Sequence, residues 1–323
     1  MAKEIVSNGD VVFFGSHAVD HYLQCKIWPQ EGQKVNAKPL DRVYGGMIPN
    51  AAAIFAGYGE APLLMGPLEE NVDAGPILAE MVEAGVDTSA IRLSSSFKNS
   101  YAYNFLSEAN ANEKTLVIVD PGYAFEMTQK EREIFSGSKF IYSTIAHLSR
   151  IRDIEALVAE AREGGAKLFI DVEAESFRSA NEDWWAFSAA DFLSFNEESF
   201  AKFSGGISRK TMIAKILQET QGEVIMTLGK SGCEVFSPSG QIAVPGIPVQ
   251  AIDPLGAGDT FNATYLFGRA SGWPSERAAQ FANAAAARST MLMGPRSGRT
   301  TIQVVDDFLQ NSNEPDTAAV LAD

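Results

Sequence analysis

Short apolar runs and longer amphipathic stretches take turns along most of this chain. Asp10–Ser16 (DVVFFGS) reads as a buried strand, because four successive apolar residues leave it no polar face. Asn50–Gly59 (NAAAIFAGYG) reads as an Ala-rich helix ending in Gly, and APLLMGPL after it reads as the next strand. Gly75–Val86 (GPILAEMVEAGV) carries apolar positions at helical spacing and closes on a glycine. The rhythm continues through the strand KFIYST, the helix IRDIEALVAEAREGG, the strands KLFIDV and DFLSFN, the helix RKTMIAKILQET and the strand EVIMTLG. Nearly continuous apolar strands separated by helices predict an α/β fold, a mostly parallel central sheet flanked by helices on both faces.

Two segments break the rhythm. Tyr22–Tyr44 and Ser100–Val119 alternate polar and apolar positions around the turns PQEG and SEANANEK. Both read as hairpins solvated on one face. Two hairpins from separate places in an α/β chain can build a small β-sheet that projects from the main domain as a lid. The expected organisation is one domain over residues 1–312, with the lid drawn from about 20–44 and 97–120. The polar, acidic tail 313–323 is expected to be frayed. No internal repeat or low-complexity block is present.

Composition narrows the function classes. The 323 residues are 46% hydrophobic, enough for a well-filled core, yet no apolar run approaches the roughly 18 residues of a membrane span. The start MAKEIVSNGDVVFFG lacks the basic-then-apolar order of a secretory signal. Only Cys25 and Cys233 are present, without ligand-type spacing, which predicts a reduced, cytoplasmic protein. A net charge of −15 argues against a nucleic-acid partner. Any phosphate must then be held locally, by backbone N–H groups and a few placed cations.

Such a local site is offered by Ala251–Gly268, AIDPLGAGDTFNATYLFG. Small residues at Gly256, Ala257 and Gly258 precede a helical pattern that starts around Asp259. A helix start presents unpaired N–H groups and a positive dipole end, and glycines let a ligand approach the backbone. Together they form an anion cradle suited to a transferring phosphoryl group, and a carboxylate beside it suits a base that takes a hydroxyl proton. The same four residues would also serve as an ordinary loop with an Asp cap. Neither the P-loop pattern nor GxGxxG is present, which weakens a dinucleotide oxidoreductase.

With its surroundings this stretch resembles the C-terminal signature of the ribokinase-like (PfkB-type) carbohydrate kinases, an Asp-Thr-x-Gly-Ala-Gly-Asp run opening a helix. Here Pro254 stands in place of the Thr. The resemblance implies that Asp259 is the catalytic base, with Gly256, Ala257 and Gly258 as the anion hole. It covers nearly the whole chain. GSHAVDHYL is similar to the family's Gly-x-x-x-x-Asp segment, implying Asp20 as a ligand of sugar hydroxyls. YGGMIPNAA resembles the Gly-Gly-x-x-x-Asn signature, implying Gly45, Gly46 and Asn50 around the sugar. VIMTLGKSGCEVF resembles the Thr-x-Gly-x-x-Gly element, implying Thr227, Gly229 and Gly232 beside the nucleotide, and FANAAAARS implies Asn283 at the adenine. Read alone, each stretch fits a tight turn, a strand end or a packing helix.

Three departures stand out. In the family's Asn-x-x-Glu element, which organises Mg²⁺ and phosphates, FNEESF gives Asn196 followed by Ser199 where Glu is expected. Either Glu198 substitutes, or Mg²⁺ is held through waters and the nucleotide. Glu173 stands where an Asn is usual. Asp253 is the candidate for a monovalent cation such as K⁺, beside the substituted Pro254.

His17, His21 and His147 form no metal-ligand spacing. His17 and His147 flank the expected cleft, where a hydrogen-bonded structural role competes with a contact to substrate. Trp184 and Trp185 read as packing residues, Cys25 and Cys233 as buried small hydrophobes. The implied activity is ATP-dependent phosphorylation of a sugar-like hydroxyl, ketose or pentose favoured, by a protein that dimerises through its lid. A nucleoside kinase of the same fold and a non-catalytic sugar or nucleotide sensor are the alternatives. Lid residues Lys34, Asn36, Tyr101, Tyr103 and Asn104 match no sugar-specific pattern.

Overall fold

The computed structural model describes residues 10–110 and 113–313. The start of the chain read for a signal, the centre of the SEANANEK turn and nearly all of the acidic tail lie outside the described residues.

Strands are numbered along the chain. The large sheet holds β1 (Val11–Phe14), β4 (Leu63–Glu69), β5 (Asp87–Ser94), β8 (Phe140–Thr144), β9 (Lys167–Val172), β10 (Phe192–Asn196), β11 (Glu223–Thr227), β12 (Gly232–Ser237) and β13 (Gly240–Pro245). Their order is β13-β12-β11-β10-β9-β8-β1-β4-β5. Pairing is parallel from β11 through β5, and β12 and β13 append as an antiparallel edge.

The apolar pattern of β1 explains its central place. Val11 and Phe13 point to one face of the sheet, Val12 and Phe14 to the other, and all four are buried. On the first face lie the helices Met47–Gly57, Ala257–Ala270 and Ser275–Ser289, whose many alanines allow close packing. On the second lie Gln129–Gly137, Ile154–Glu163, Trp184–Ala189, Glu197–Ser204 and Arg209–Thr220. Trp184 and Trp185 pack half-buried against that second core. Cys25 and Cys233 are buried and free, and burial pushes the Cys233 thiol up to about 12.

The small sheet joins the two alternating segments. β2 (Ala18–Cys25) pairs antiparallel with β3 (Lys38–Gly45), and β6 (Ser100–Ser107) antiparallel with β7 (Glu113–Val119). Parallel pairing of β2 with β6 unites them in the order β3-β2-β6-β7. β2 leaves directly from the end of β1, so one face of this sheet lies over the carboxyl ends of the main strands. In an open α/β sheet that is where ligands bind.

Candidate active site

Three loops meet where β1, β9, β10 and β11 end. The first carries Gly45 and Gly46 into the helix Met47–Gly57. A Cβ on Gly45 would collide with the Asp20 carboxylate, so the glycine is what lets Asp20 sit beside Asn50. Gly46 has φ +108° and lies within contact of the Ser16 carbonyl, a conformation that L side chains resist. Asn50, in the first turn, is buried, and its Nδ2 donates to Asp259 Oδ2 at 2.9 Å.

The second loop is the glycine-rich turn. Gly256 caps the helix Ala257–Ala270 in the left-handed region, φ +77°. A Cβ there would strike the Pro295 carbonyl, so Gly256 serves the chain path. The Ala257 N–H turns to the Pro254 carbonyl at 3.2 Å. Gly258 differs in that a Cβ on it would meet only open space; its N–H, like that of Gly256, has no acceptor among the described residues. Of the three residues expected to form an anion hole, Ala257 and Gly258 line the cavity described below, and Gly256 does not.

Asp259 follows on the same turn and is 9% exposed. Burial, first, and the neighbouring Asp171 and Glu173 push its carboxyl well above the usual range, against the Asn50 hydrogen bond and the Arg296 charge. Arg296 belongs to the third loop, MGPRSGRT, in which no chemistry is expected from the sequence. Its Nε donates to Asn50 Oδ1 at 3.1 Å and its Nη1 to Glu80 Oε2 at 3.0 Å. Nothing in its local sequence marks it beyond one cation between two glycines. Its partners lie 246 and 216 positions away.

A cavity of about 950 Å³ opens on the other side of the helix start. It is lined by all five residues expected at the nucleotide (Asn196, Thr227, Gly229, Gly232 and Asn283) together with Ala257, Gly258 and Glu198. Gly229 faces open space, whereas Gly232 packs so tightly on the Val244 carbonyl that only glycine fits. Asn283 donates through Nδ2 to the Pro245 carbonyl at 2.9 Å, which leaves its Oδ1 for a ligand. Lys230, to which its local sequence GKSG assigns no role, also lines the cavity and supplies a cation among acids. Asp20, Gly45, Gly46, Asn50 and Asp259 lie outside this lining and gather around Asn50.

Ser199, where the resemblance led to a Glu, is fully buried. It caps its own helix: the Ser199 N–H donates to Asn196 Oδ1 at 2.8 Å, and the Asn196 N–H donates to the Ser199 hydroxyl at 3.0 Å. Position 199 thus has a local structural role and lines no part of the cavity. Glu173 does line it, and burial followed by Asp171 and Glu198 pushes its carboxyl up. Asp253 ties two loops together, its Oδ1 accepting from the Leu255 N–H and its Oδ2 from the Gly294 N–H, both at 3.0 Å.

The histidines divide. His147 Nδ1 pairs with the Tyr123 hydroxyl at 3.0 Å, and burial, then Arg150, lowers its pKa to about 4. His17 is fully buried, neither ring nitrogen has a partner among the described residues, and burial with Arg296 lowers it to about 3. Asn104, on β6, is also buried with both amide atoms unpaired among the described residues. Two residues along from Ala102, which pairs with Asp20, it shares the Asp20 face of the small sheet.

The ribokinase of Bacillus subtilis is 23% identical over 313 residues, 93% of this chain and 99% of its own. The ribokinase of Arabidopsis thaliana, solved with ribose and ATP, has the same fold, with a TM-score of 0.80 at 22% identity over 94% of this chain and 99% of its own. So does the nucleoside kinase of Burkholderia thailandensis solved with inosine, with a TM-score of 0.77 at 19% identity over 94% and 97%. The profile of the pfkB family carbohydrate kinases matches residues 8–302, and the chain belongs to that family.

Proposed function

We propose that this chain transfers the γ-phosphoryl group of ATP to a hydroxyl of a sugar or sugar-like molecule. One observation carries the reading. A single helix start places Gly258, with its unpaired N–H, in the lining of one cavity and, on the next residue, pairs Asp259 with Asn50, which lies beside Asp20. A phosphoryl group in the cavity and a hydroxyl beside Asp259 would meet in line across that turn. Asp20 and Asn50 orient the acceptor, Asp259 takes its proton, and the Gly258 N–H with the helix dipole offsets charge on the transferring group.

The protein has the donors for Mg²⁺ in part. Among the described residues no three His, Cys, Asp or Glu side chains are close enough to hold a metal. Glu198 and Glu173, crowded on one cavity wall, suit an ion otherwise held by phosphate oxygens and water. Bound there, Mg²⁺ would neutralise phosphate charge. Asp253 is the place for a monovalent cation on the same reading.

The small sheet closes over the acceptor and excludes water, the competing nucleophile. A homodimer through that sheet is also part of the proposal. Leu116, Val117, Ile118 and Val119 on its edge strand β7 are each 42–63% exposed, an apolar ribbon that a second copy would cover. Ile118→Lys is expected to convert a dimer to a monomer in light scattering; a monomeric wild type at micromolar concentration rejects the dimer.

The test of function is ADP release from MgATP across ketoses, aldoses, sugar acids and nucleosides, with Asp259→Asn alongside. Stimulation by one class, lost in the variant, supports the kinase and names its acceptor. Stimulation by nucleosides alone selects the nucleoside reading. A ligand that raises the melting temperature while no compound drives turnover selects the sensor.

A further inference from the structure

We propose that Arg296 is a positioning residue for the base: it turns the Asn50 amide so that its donor end faces Asp259, and it is the cation set against protonation of Asp259. The inference rests on the kinase reading for its consequence in catalysis, though the arrangement itself is independent of it.

The first argument is polarity. The two ends of an asparagine amide are alike in shape and opposite in character, so their neighbours decide which way it points. A guanidinium can only donate. With Arg296 Nε at 3.1 Å from one end of Asn50, that end must be Oδ1, and Nδ2 is left facing Asp259 at 2.9 Å. A carboxylate accepts that donor in its charged form, and one of its oxygens is thereby fixed.

The second argument is charge. Asp259 is faced by Asn50 from the helix Met47–Gly57, by Asp171 at the end of β9 and Glu173 beyond it, and by Arg296. Tyr142 on β8 donates to Asp171 at 2.9 Å and brings no charge of its own. The two acids and burial all favour a protonated base; Arg296 is the cation that opposes them. It also faces Glu80 and Asp20, and its Nη2 is buried with no acceptor among the described residues. His17, the other basic group near it, is held neutral.

The third argument is rigidity. The loop bearing Arg296 is fastened to the glycine-rich turn at three points. The Gly294 N–H donates to Asp253, the Pro295 carbonyl packs on Gly256, and Gly298 lies so close to Thr260 that a Cβ would collide with its hydroxyl. The glycine-rich turn and the arginine loop are therefore packed as one unit.

The test is a carbon-detected NMR titration of the full-length protein labelled at aspartate Cγ. Asp259→Asn identifies the resonance, and Arg296→Met and Arg296→Lys are compared with wild type. No acceptor or nucleotide is needed. In Arg296→Met the Asp259 midpoint is expected to rise by about 1 pH unit. Lysine keeps the charge without the planar two-point contact to Asn50 and Glu80, and is expected to fall between. An unmoved midpoint in a folded Arg296→Met protein, judged by circular dichroism, overturns the proposal. Should that variant not fold, Arg296→Gln, which keeps a donor but no charge, decides, and a wild-type midpoint there overturns it equally. With an acceptor in hand, the acid limb of the kcat profile shifts upward by the same amount, with KM for ATP unchanged. If the midpoint moves but no compound accepts phosphate, the kinase reading fails and the role of Arg296 in the Asp259 charge state stands.

Discussion

The two halves of the site are built from different material. The nucleotide side is made of backbone: Gly229 and Gly258 face open space, Gly232 and Gly256 bend the chain, and one cation, Lys230, projects among acids. The acceptor side is made of charged and amide side chains packed against one another, buried or half-buried, with Asp259, Asn50, Arg296 and Asp20 drawn from four separate segments. A triphosphate offers many oxygens to any array of N–H groups, so short loops suffice for it. Ionising a carboxylate out of water needs a specific donor and a counter-charge, and these come from far along the chain.

The comparison predicts unequal responses to substitution. Asp259→Asn strikes the acceptor side at its centre and is expected to lower kcat by about 10³-fold, with KM for ATP changed little, as steady-state kinetics would show. Equal losses in both parameters would mean that the two halves are not separable.

On the nucleotide side the two glycines should differ from each other. Gly256→Ala places a Cβ against the Pro295 carbonyl at φ +77° and is expected to cost at least about 2 kcal/mol in denaturant unfolding. Gly258→Ala meets nothing and should leave stability unchanged while raising KM for ATP about tenfold. Similar melting curves for the two variants would contradict the division between bend and cradle.

Glu173→Gln removes one of the two carboxylates facing each other on the cavity wall. The Mg²⁺ concentration for half-maximal rate is expected to rise about tenfold. An unchanged requirement would leave Glu198 as the sole protein carboxylate at the metal.

The smallest effect is on stability. Burial raises the Asp259 pKa above its ordinary 3.8, so the folded chain holds this proton more tightly than the unfolded one. The stability it contributes is complete below that ordinary value and is lost as pH rises through the folded value. Asparagine carries no such loss. Asp259→Asn should therefore melt with wild type at about pH 4 and above it at pH 8, by roughly 2–4 °C for each kcal/mol relieved. A variant less stable at pH 8 would mean that Asp259 is well compensated.

Legibility in the sequence follows the same division. β1 could be recognised because VVFF is apolar on both faces, and the glycine-rich turn because the helix start and its special backbone are contiguous. Both alternating segments could be recognised as hairpins, although nothing local foretold that β2 would pair parallel with β6. Ser199 is legible as a departure but not as a cap, because the Asn-x-x-Ser helix start shares its first residue with the expected Asn-x-x-Glu element. Arg296 was not legible at all. Its meaning depends on Asn50, 246 positions away, and on Glu80, and neither relation leaves a mark in GPRSG.

The most direct measurement follows the label of [γ-³²P]ATP with the protein, Mg²⁺ and the acceptor that most stimulates ADP release. The account predicts label in a phosphorylated organic product, with transfer abolished in Asp259→Asn. Label appearing only as inorganic phosphate, or equal transfer by the variant, would contradict it.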